Sequence, residues 1–183
     1  MVALWIVLGV VVLLVLFVIF AYNGLVRLRN RIDNAWAQID VQLRRRYDLI
    51  PNLVETVRGY AAHERDVFEK VTEARAKAIA AGSVGQQAQA ENMLTQALRS
   101  LFAVAEAYPQ LRASDNFVKL QSELSDTESK IAFSRQFYND TVLQYDNARE
   151  SFPSSVIANM ASFGPKEYFE TEPASREPVK VKF

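Results

Sequence analysis

"VALWIVLGVVVLLVLFVIFA", Val2 to Ala21, is a run of twenty residues without a charge, and it constrains this chain more than any other segment. As an α-helix it extends about 30 Å, the thickness of the hydrocarbon layer of a bilayer. The competing reading is a cleaved signal peptide, which needs a positive n-region, a shorter apolar run and a small-x-small cleavage site. No Lys or Arg precedes this run, and "IFAYNG" is a poor cleavage site. Residues 1–22 therefore read as a retained transmembrane anchor. Trp5 and Tyr22 stand near its two ends, where aromatic rings favour the membrane interface.

Charge sets the expected orientation. Arg27, Arg29 and Arg31 follow the span closely, and Arg44, Arg45 and Arg46 come after them. The positive-inside rule then places residues 23–183 in the cytoplasm of a single-pass protein of the cytoplasmic (inner) membrane, with an extracytoplasmic domain as the alternative.

Composition narrows the function classes. Net charge is zero, so nothing in the overall charge marks a nucleic-acid binder. The 183 residues include no cysteine, which excludes disulfides, thiolate metal sites, a cysteine nucleophile and a lipidated cysteine. Half of the residues are apolar, enough for a packed core.

Beyond the anchor the apolar pattern is helical. Leu25, Leu28, Ile32, Trp36, Ile39, Leu43, Tyr47, Ile50, Val54, Val57 and Ala61 make ten steps across 36 residues. That is the period of a straight α-helix with one apolar stripe. The pattern continues through Val67, Phe68 and Val71, predicting one long helix over 23–81 with Gly82 as its C′ residue. A second helix is expected over 86–108, ended by Pro109, with "PQLRASD" as a connection. A third starts near Ser114 or Asp115, both good N-caps, and runs to about Ser151. In it Phe117, Leu124, Ile131, Tyr138, Tyr145 and Phe152 recur every seventh residue. A second row, Leu120, Thr127, Ser134, Thr141 and Ala148, is mostly small. This is a heptad seam whose hydroxyls can bond back to the helix carbonyls. Its plain reading is a bundle core, and its sharper reading is a docking face for another chain.

The predicted fold is all-α: a transmembrane helix followed by an antiparallel up-and-down bundle of three to four long helices. The bundle domain is 23–151. Residues 152–183 form a short apolar helix, ended by Gly164 and Pro165, and an extended tail.

Pro51 interrupts the first stripe. It has no N–H for the Tyr47 carbonyl, and in a helix interior that costs about 3 kcal/mol. Either the helix kinks there or a new helix begins with Asp48 as N-cap; the unbroken period favours the kink. Arg44, Arg45 and Arg46 read as a solvated face.

Three segments carry a resemblance: "RRYDLIPNLVETVRGYA", "YPQLRASDNFVKLQSELSDTESKIAFSRQFYND" and "FPSSVIANMASFGPKEYF". In this order they are similar to the signatures of the LemA family. The matching positions include Arg45, Arg46, Asp48, Pro51, Asn52, Tyr138, Asn139 and Asp140. The resemblance implies a bacterial protein with an N-terminal membrane segment and an antiparallel bundle of four helices, which would make Asp48–Pro51 a helix junction. Many members are lipoproteins with a cysteine where this chain has Ala21 or Tyr22, and their domain lies outside the cytoplasm. The family has no established molecular activity. One branch is associated with building internal membranes in magnetic bacteria, which implies a membrane-organising role.

Motifs for chemistry are sparse. A di-iron bundle needs Glu-x-x-His on two helices, and the single histidine, His63, has Tyr60 three residues before it. His63 reads as an exposed or capping residue. No glycine-rich phosphate loop and no G-x-S-x-G elbow is present. Glu123, Asp126 and Glu128 lie near Lys130 and Arg135 and read as a salt-laced helix face. Asn139 and Asp140 are expected to make a buried polar contact between helices. No catalytic, metal-binding or cofactor-binding residue is expected, and no cofactor. The expected partners are the lipid bilayer, further copies of the chain and a membrane protein of unknown identity. The leading function is a non-enzymatic, self-associating membrane scaffold. The alternative is an adaptor for one membrane protease or transporter, acting through residues 152–169. An enzyme of unrecognised type is the third reading.

Overall fold

The computed structural model describes residues 1–170, and the later part of the expected tail lies outside the described residues. The order of elements is α1 (Val2–Arg58), α2 (Arg65–Ala80), α3 (Val84–Glu106), α4 (Pro109–Arg112), α5 (Asp115–Glu150) and α6 (Ser154–Met160), with no strand among the described residues. The all-α reading holds. The described residues divide into two compact units, residues 1–38 with 136–167 and residues 39–135 with 168–170. Both α1 and α5 contribute to each.

In the first unit, every residue from Val2 to Phe20 is helical and exposed. The helix is long and apolar enough to cross a membrane. Beyond Ala21 the stripe takes over, with Leu25, Ile32 and Ala35 buried. Tyr138, Val142 and Tyr145 of α5 and Ile157 and Ala158 of α6 are buried in the same unit.

The second unit is a four-helix arrangement. The stripe of α1 buries Ile39, Leu43, Ile50, Leu53, Val54 and Val57. The next helix does not continue it. The chain turns over Gly59–Glu64, where Tyr60 N–H donates to the Val57 carbonyl at 3.0 Å and Glu64 N–H to that of Ala61 at 3.2 Å. Gly59 weakens the helix by about 1 kcal/mol relative to alanine, and buried Ala61 closes the turn. The single helix expected over 23–81 is thus two. The fourth helix of the bundle comes from this turn, and α1 passes through Asp48–Pro51 without a junction.

Helices α2 and α3 pack as a hairpin through small residues, Ala74 and Ala78 on one side and Ala88 and Ala90 on the other. No described glycine has positive φ, and Ala81 leaves α2 in an extended conformation, so Gly82 is not a left-handed cap. It serves the next helix instead. The Gly82 N–H donates to Gln86 Oε1 (3.2 Å), and the Gln86 N–H donates to Ser83 Oγ (3.2 Å). This is a variant of the capping box. The expected connection after Pro109 contains one helical turn, α4, that buries Leu111. Helix α5 begins at Asp115, and its heptad seam buries Phe117, Leu124, Ile131, Tyr138 and Tyr145. Thr127 and Thr141 bond back to the carbonyls of Glu123 and Phe137, both at 2.7 Å. The seam ends there. Phe152 lies beyond the end of α5 and is 84% exposed.

Helix α6 closes with Ser162 in the left-handed region at φ 56°. The Phe163 N–H donates to the Ala158 carbonyl at 2.9 Å and the Ser162 N–H to that of Asn159 at 3.3 Å. This is a Schellman motif, so the helix stops at Ser162 before Gly164 is reached.

Candidate functional site

Two constellations of side chains stand out, one in each unit. The first is a buried ionic core. Arg46 sits on the inward face of α1 between Leu43 and Ile50 and is 0% exposed. Its two terminal nitrogens donate to Glu91 Oε2 (2.7 Å) and Thr95 Oγ1 (2.8 Å) of α3. Its Nε stands 2.8 Å from Glu128 Oε1 of α5, an ion pair without the alignment of a hydrogen bond. Arg46 is therefore part of the core, in contrast to the solvated face expected from the sequence. Arg44 and Arg45 are exposed and keep that character. Glu128 belongs to this cluster, while Asp126 and Lys130 form the expected surface pair at 2.7 Å.

Glu91 is also 0% exposed. Its other oxygen accepts a very short hydrogen bond from the Tyr47 hydroxyl and one from Gln87 Nε2 at 3.0 Å. The two Gln87 Nε2 hydrogens are shared among that oxygen, Tyr47 Oη (2.8 Å) and the Ala78 carbonyl (3.1 Å). Burial first, then the Glu91 carboxylate, pushes the Tyr47 phenol far above its ordinary range. Tyr47 is thus a fixed hydrogen-bond donor. Burial also holds the Arg135 guanidinium below the usual arginine range, and Arg135 stacks on the Phe169 ring at 4.8 Å.

A cavity of about 300 Å³ opens beside this core. Leu98, Phe102 and Leu124 line its body, and Arg46, Thr95 and Glu128 form its polar end. Those polar groups already serve one another. The arrangement offers neither an activated nucleophile nor a positioned general base.

The second constellation is an aromatic seam in the first unit. Trp36 packs edge-to-face on Tyr138 at 5.7 Å. The Tyr138 hydroxyl donates to the Glu167 carbonyl (2.9 Å), and that of Tyr145 to the Gly164 carbonyl (2.8 Å). The two phenols tie the chain beyond α6 to α5. Burial, with Glu167 and Asp33 adding to it, pushes Tyr138 up to about 12. Phe163 meets Tyr22 edge-to-face at 5.6 Å and lies under the Arg29 guanidinium at 5.6 Å. Arg31 stacks on Phe137 at 5.5 Å and donates to Gln144 Oε1 at 3.4 Å.

The remaining sequence positions fall on the surface. Asp48, Pro51 and Asn52 are exposed on α1, and the Asn52 carbonyl accepts from Thr56 Oγ1 at 2.8 Å. Asn139 is half-buried and Asp140 exposed, so Asp140 makes no buried contact between helices. His63 is exposed in the α1–α2 turn. Trp5 and Arg27 are exposed. Among the described residues no group of three or more His, Asp and Glu side chains could hold a metal ion. Sequence reasoning missed Glu91 and its pairing with Arg46. Its signal was a charge in each of two apolar stripes: Arg46 between Leu43 and Ile50, and Glu91 ahead of Leu94 and Leu98.

The LemA family profile matches residues 35–183. This chain belongs to the LemA family. The match includes the buried Arg46 and Glu91, the half-exposed Glu128 that pairs with Arg46, and the Tyr138 and Tyr145 seam. Among characterised relatives, the chain is similar to the magnetosome protein MamQ of Magnetospirillum gryphiswaldense, with 26% identity covering 86% of this chain and 68% of the relative. Magnetosome protein MamQ 2 of Paramagnetospirillum magneticum is 25% identical, covering 92% of this chain and 72% of the relative. Protein LemA of Metamycoplasma hominis is 25% identical, covering 74% of this chain and 63% of the relative.

Proposed function

We propose that this protein is a single-pass, membrane-anchored helical scaffold without catalytic activity. Residues 2–21 hold it in the membrane, residues 23–183 face the cytoplasm, and the chain self-associates to organise the membrane or the proteins in it. One observation carries the reading. Helix α1 runs without a break from an exposed apolar span into a stripe that is buried in a folded unit. A signal sequence has no reason to share a continuous helix with the core. A core helix would not leave eighteen apolar side chains in water.

Two further points support it. The buried polar groups of the second unit are spent on one another, as expected of groups that specify packing. Two of the relatives carry the name magnetosome protein, which fits the membrane-building branch of the family. The arginines beyond the span support the cytoplasmic side, since each near-surface basic residue gains about 1 kcal/mol from an anionic leaflet.

Mass measurement of the full chain in lipid nanodiscs, together with crosslinking in native membranes, tests self-association. Several chains per particle are expected. A single chain per particle at every concentration, with no crosslinked species in membranes, contradicts the scaffold reading.

A further inference from the structure

Helix α6 leaves one face uncovered. Val156 (49% exposed) and Met160 (80%) are four residues apart and share one side of α6, and Phe152 (84%) is exposed in the turn just before it. Ile157 and Ala158 on the other side are buried. Three large apolar side chains exposed at one corner need a non-aqueous neighbour.

The register of α1 against α5 says where that corner lies. Trp36 meets Tyr138, and Arg31 meets Gln144. Moving toward the N-terminus of α1 thus moves toward the C-terminus of α5 at nearly the same pace, as two antiparallel helices of equal rise must. The same register carries the end of α5 and Phe152 to the level of Tyr22–Gly24, the first turn beyond the apolar span. The other end of α6 is fixed independently at this level. Phe163, three residues past Met160, stacks on Tyr22, and the Arg29 guanidinium covers it. The single Ser154 hydroxyl hydrogen is shared between the Ala148 and Ser151 carbonyls (2.6 and 2.9 Å from Oγ) and holds the corner in place.

We propose that the α5–α6 corner, with Phe152, Val156 and Met160 as its apolar face, is a membrane-contact surface seated in the same bilayer that receives residues 2–21. This rests on the anchored reading above and adds a second, interfacial point of attachment. The chemistry matches that boundary. Phenyl and thioether side chains enter the zone between head groups and acyl chains, where short amphipathic elements lie in the plane of the membrane. Arg27 and Arg29 stand at the depth of lipid phosphates. Two attachments fix the tilt of the first unit, where a span alone would leave it free to swing.

The chain has no cysteine, so single-cysteine variants of the full protein take one label each. Val12→Cys, Gln38→Cys, Phe152→Cys and Met160→Cys would carry an environment-sensitive fluorophore in nanodiscs of phosphatidylethanolamine and phosphatidylglycerol. All four positions are exposed in the isolated chain, so the substitutions do not disturb packing. The proposal expects labels at 152 and 160 to lose most of their emission to lipids with a nitroxide near the head of the acyl chain and to resist aqueous iodide. The label at 38 should show the reverse. Labels at 152 and 160 quenched by iodide while that at 12 is quenched by lipid overturn the proposal and leave the anchor standing. A label at 12 quenched by iodide overturns both. Labels at 152 and 160 shielded from both quenchers place a protein neighbour on this face and also overturn it.

Discussion

Arg75 Nε donates to the Tyr47 carbonyl at 2.8 Å, and this is the carbonyl that Pro51, four residues on, cannot serve. A proline inside a helix costs about 3 kcal/mol, in part because that acceptor loses its partner. Here a cation on α2 replaces the missing N–H, and the proline ring points into solvent. That is how α1 passes through Pro51 unbroken, and it also clasps α2 to α1. The prediction is a coupling between the two positions. Arg75→Met should lower stability by about 1–3 kcal/mol, the cost of stranding a buried acceptor. In a Pro51→Ala background, where residue 51 regains its N–H, the same change should cost clearly less. Denaturant midpoints of the four proteins in detergent give the coupling energy.

The Arg46–Glu91 pair should behave as a buried ion pair. Arg46→Met strands the Glu91 carboxylate and is expected to cost about 3–5 kcal/mol. Replacing both, Arg46→Met with Glu91→Leu, should restore much of this, because a matched apolar pair has no charge to solvate. The recovery is limited by Tyr47 and Gln87, which lose their acceptor. Thermal unfolding followed by circular dichroism measures both.

Alkaline pH should unfold this protein earlier than its composition suggests. An unfolded tyrosine ionises near its ordinary value of 10.0, and burial pushes folded Tyr138 up to about 12. Between those values the unfolded chain has released a proton that the folded chain retains, so stability falls as pH rises. The contribution is complete below pH 10. Tyr47 and Tyr145 are shifted in the same direction, chiefly by burial. Tyr138→Phe should cost about 1 kcal/mol at neutral pH through the lost bond to the Glu167 carbonyl, and should flatten the decline between pH 10 and 12. Denaturant midpoints across that range are the readout.

Ser162 holds a backbone conformation that costs a non-glycine residue about 1–2 kcal/mol. Ser162→Gly should raise stability by up to about 1 kcal/mol, the glycine's greater freedom when unfolded offsetting part of the gain. A differential scanning measurement on the full chain in detergent is enough. An unchanged or lowered midpoint would contradict the Schellman assignment.

Much of this architecture was legible in the residues. The span, the stripe of α1, the existence of α3 and the five buried heptad positions of α5 follow from periodicity. The small row, with Thr127 and Thr141 bonding backward, followed from hydroxyl chemistry. Errors came where an interaction between distant residues overrides a local rule. Pro51 left a kink and a new helix both open because its compensating donor is on α2, and the unbroken stripe that favoured continuity is what α1 keeps. Gly59 gave a weak stop signal because the apolar pattern resumes at Val67 and Phe68 after the turn. Arg46 sits among two other arginines, so its burial shows only through its place in the apolar stripe. Phe152 keeps the seven-residue spacing, but α5 has already ended at Glu150, and spacing carries no meaning outside the helix.

Membrane anchorage with a cytoplasmic domain is the central claim, and thiol accessibility in sealed, right-side-out spheroplasts tests it most directly. The Gln38→Cys variant would be treated with a membrane-impermeant maleimide before and after lysis. No labelling of intact spheroplasts and full labelling after lysis, with the protein in the membrane fraction throughout, is the expected result. Labelling of intact spheroplasts would place the domain outside, and protein that leaves the membrane fraction without detergent would remove the anchor itself.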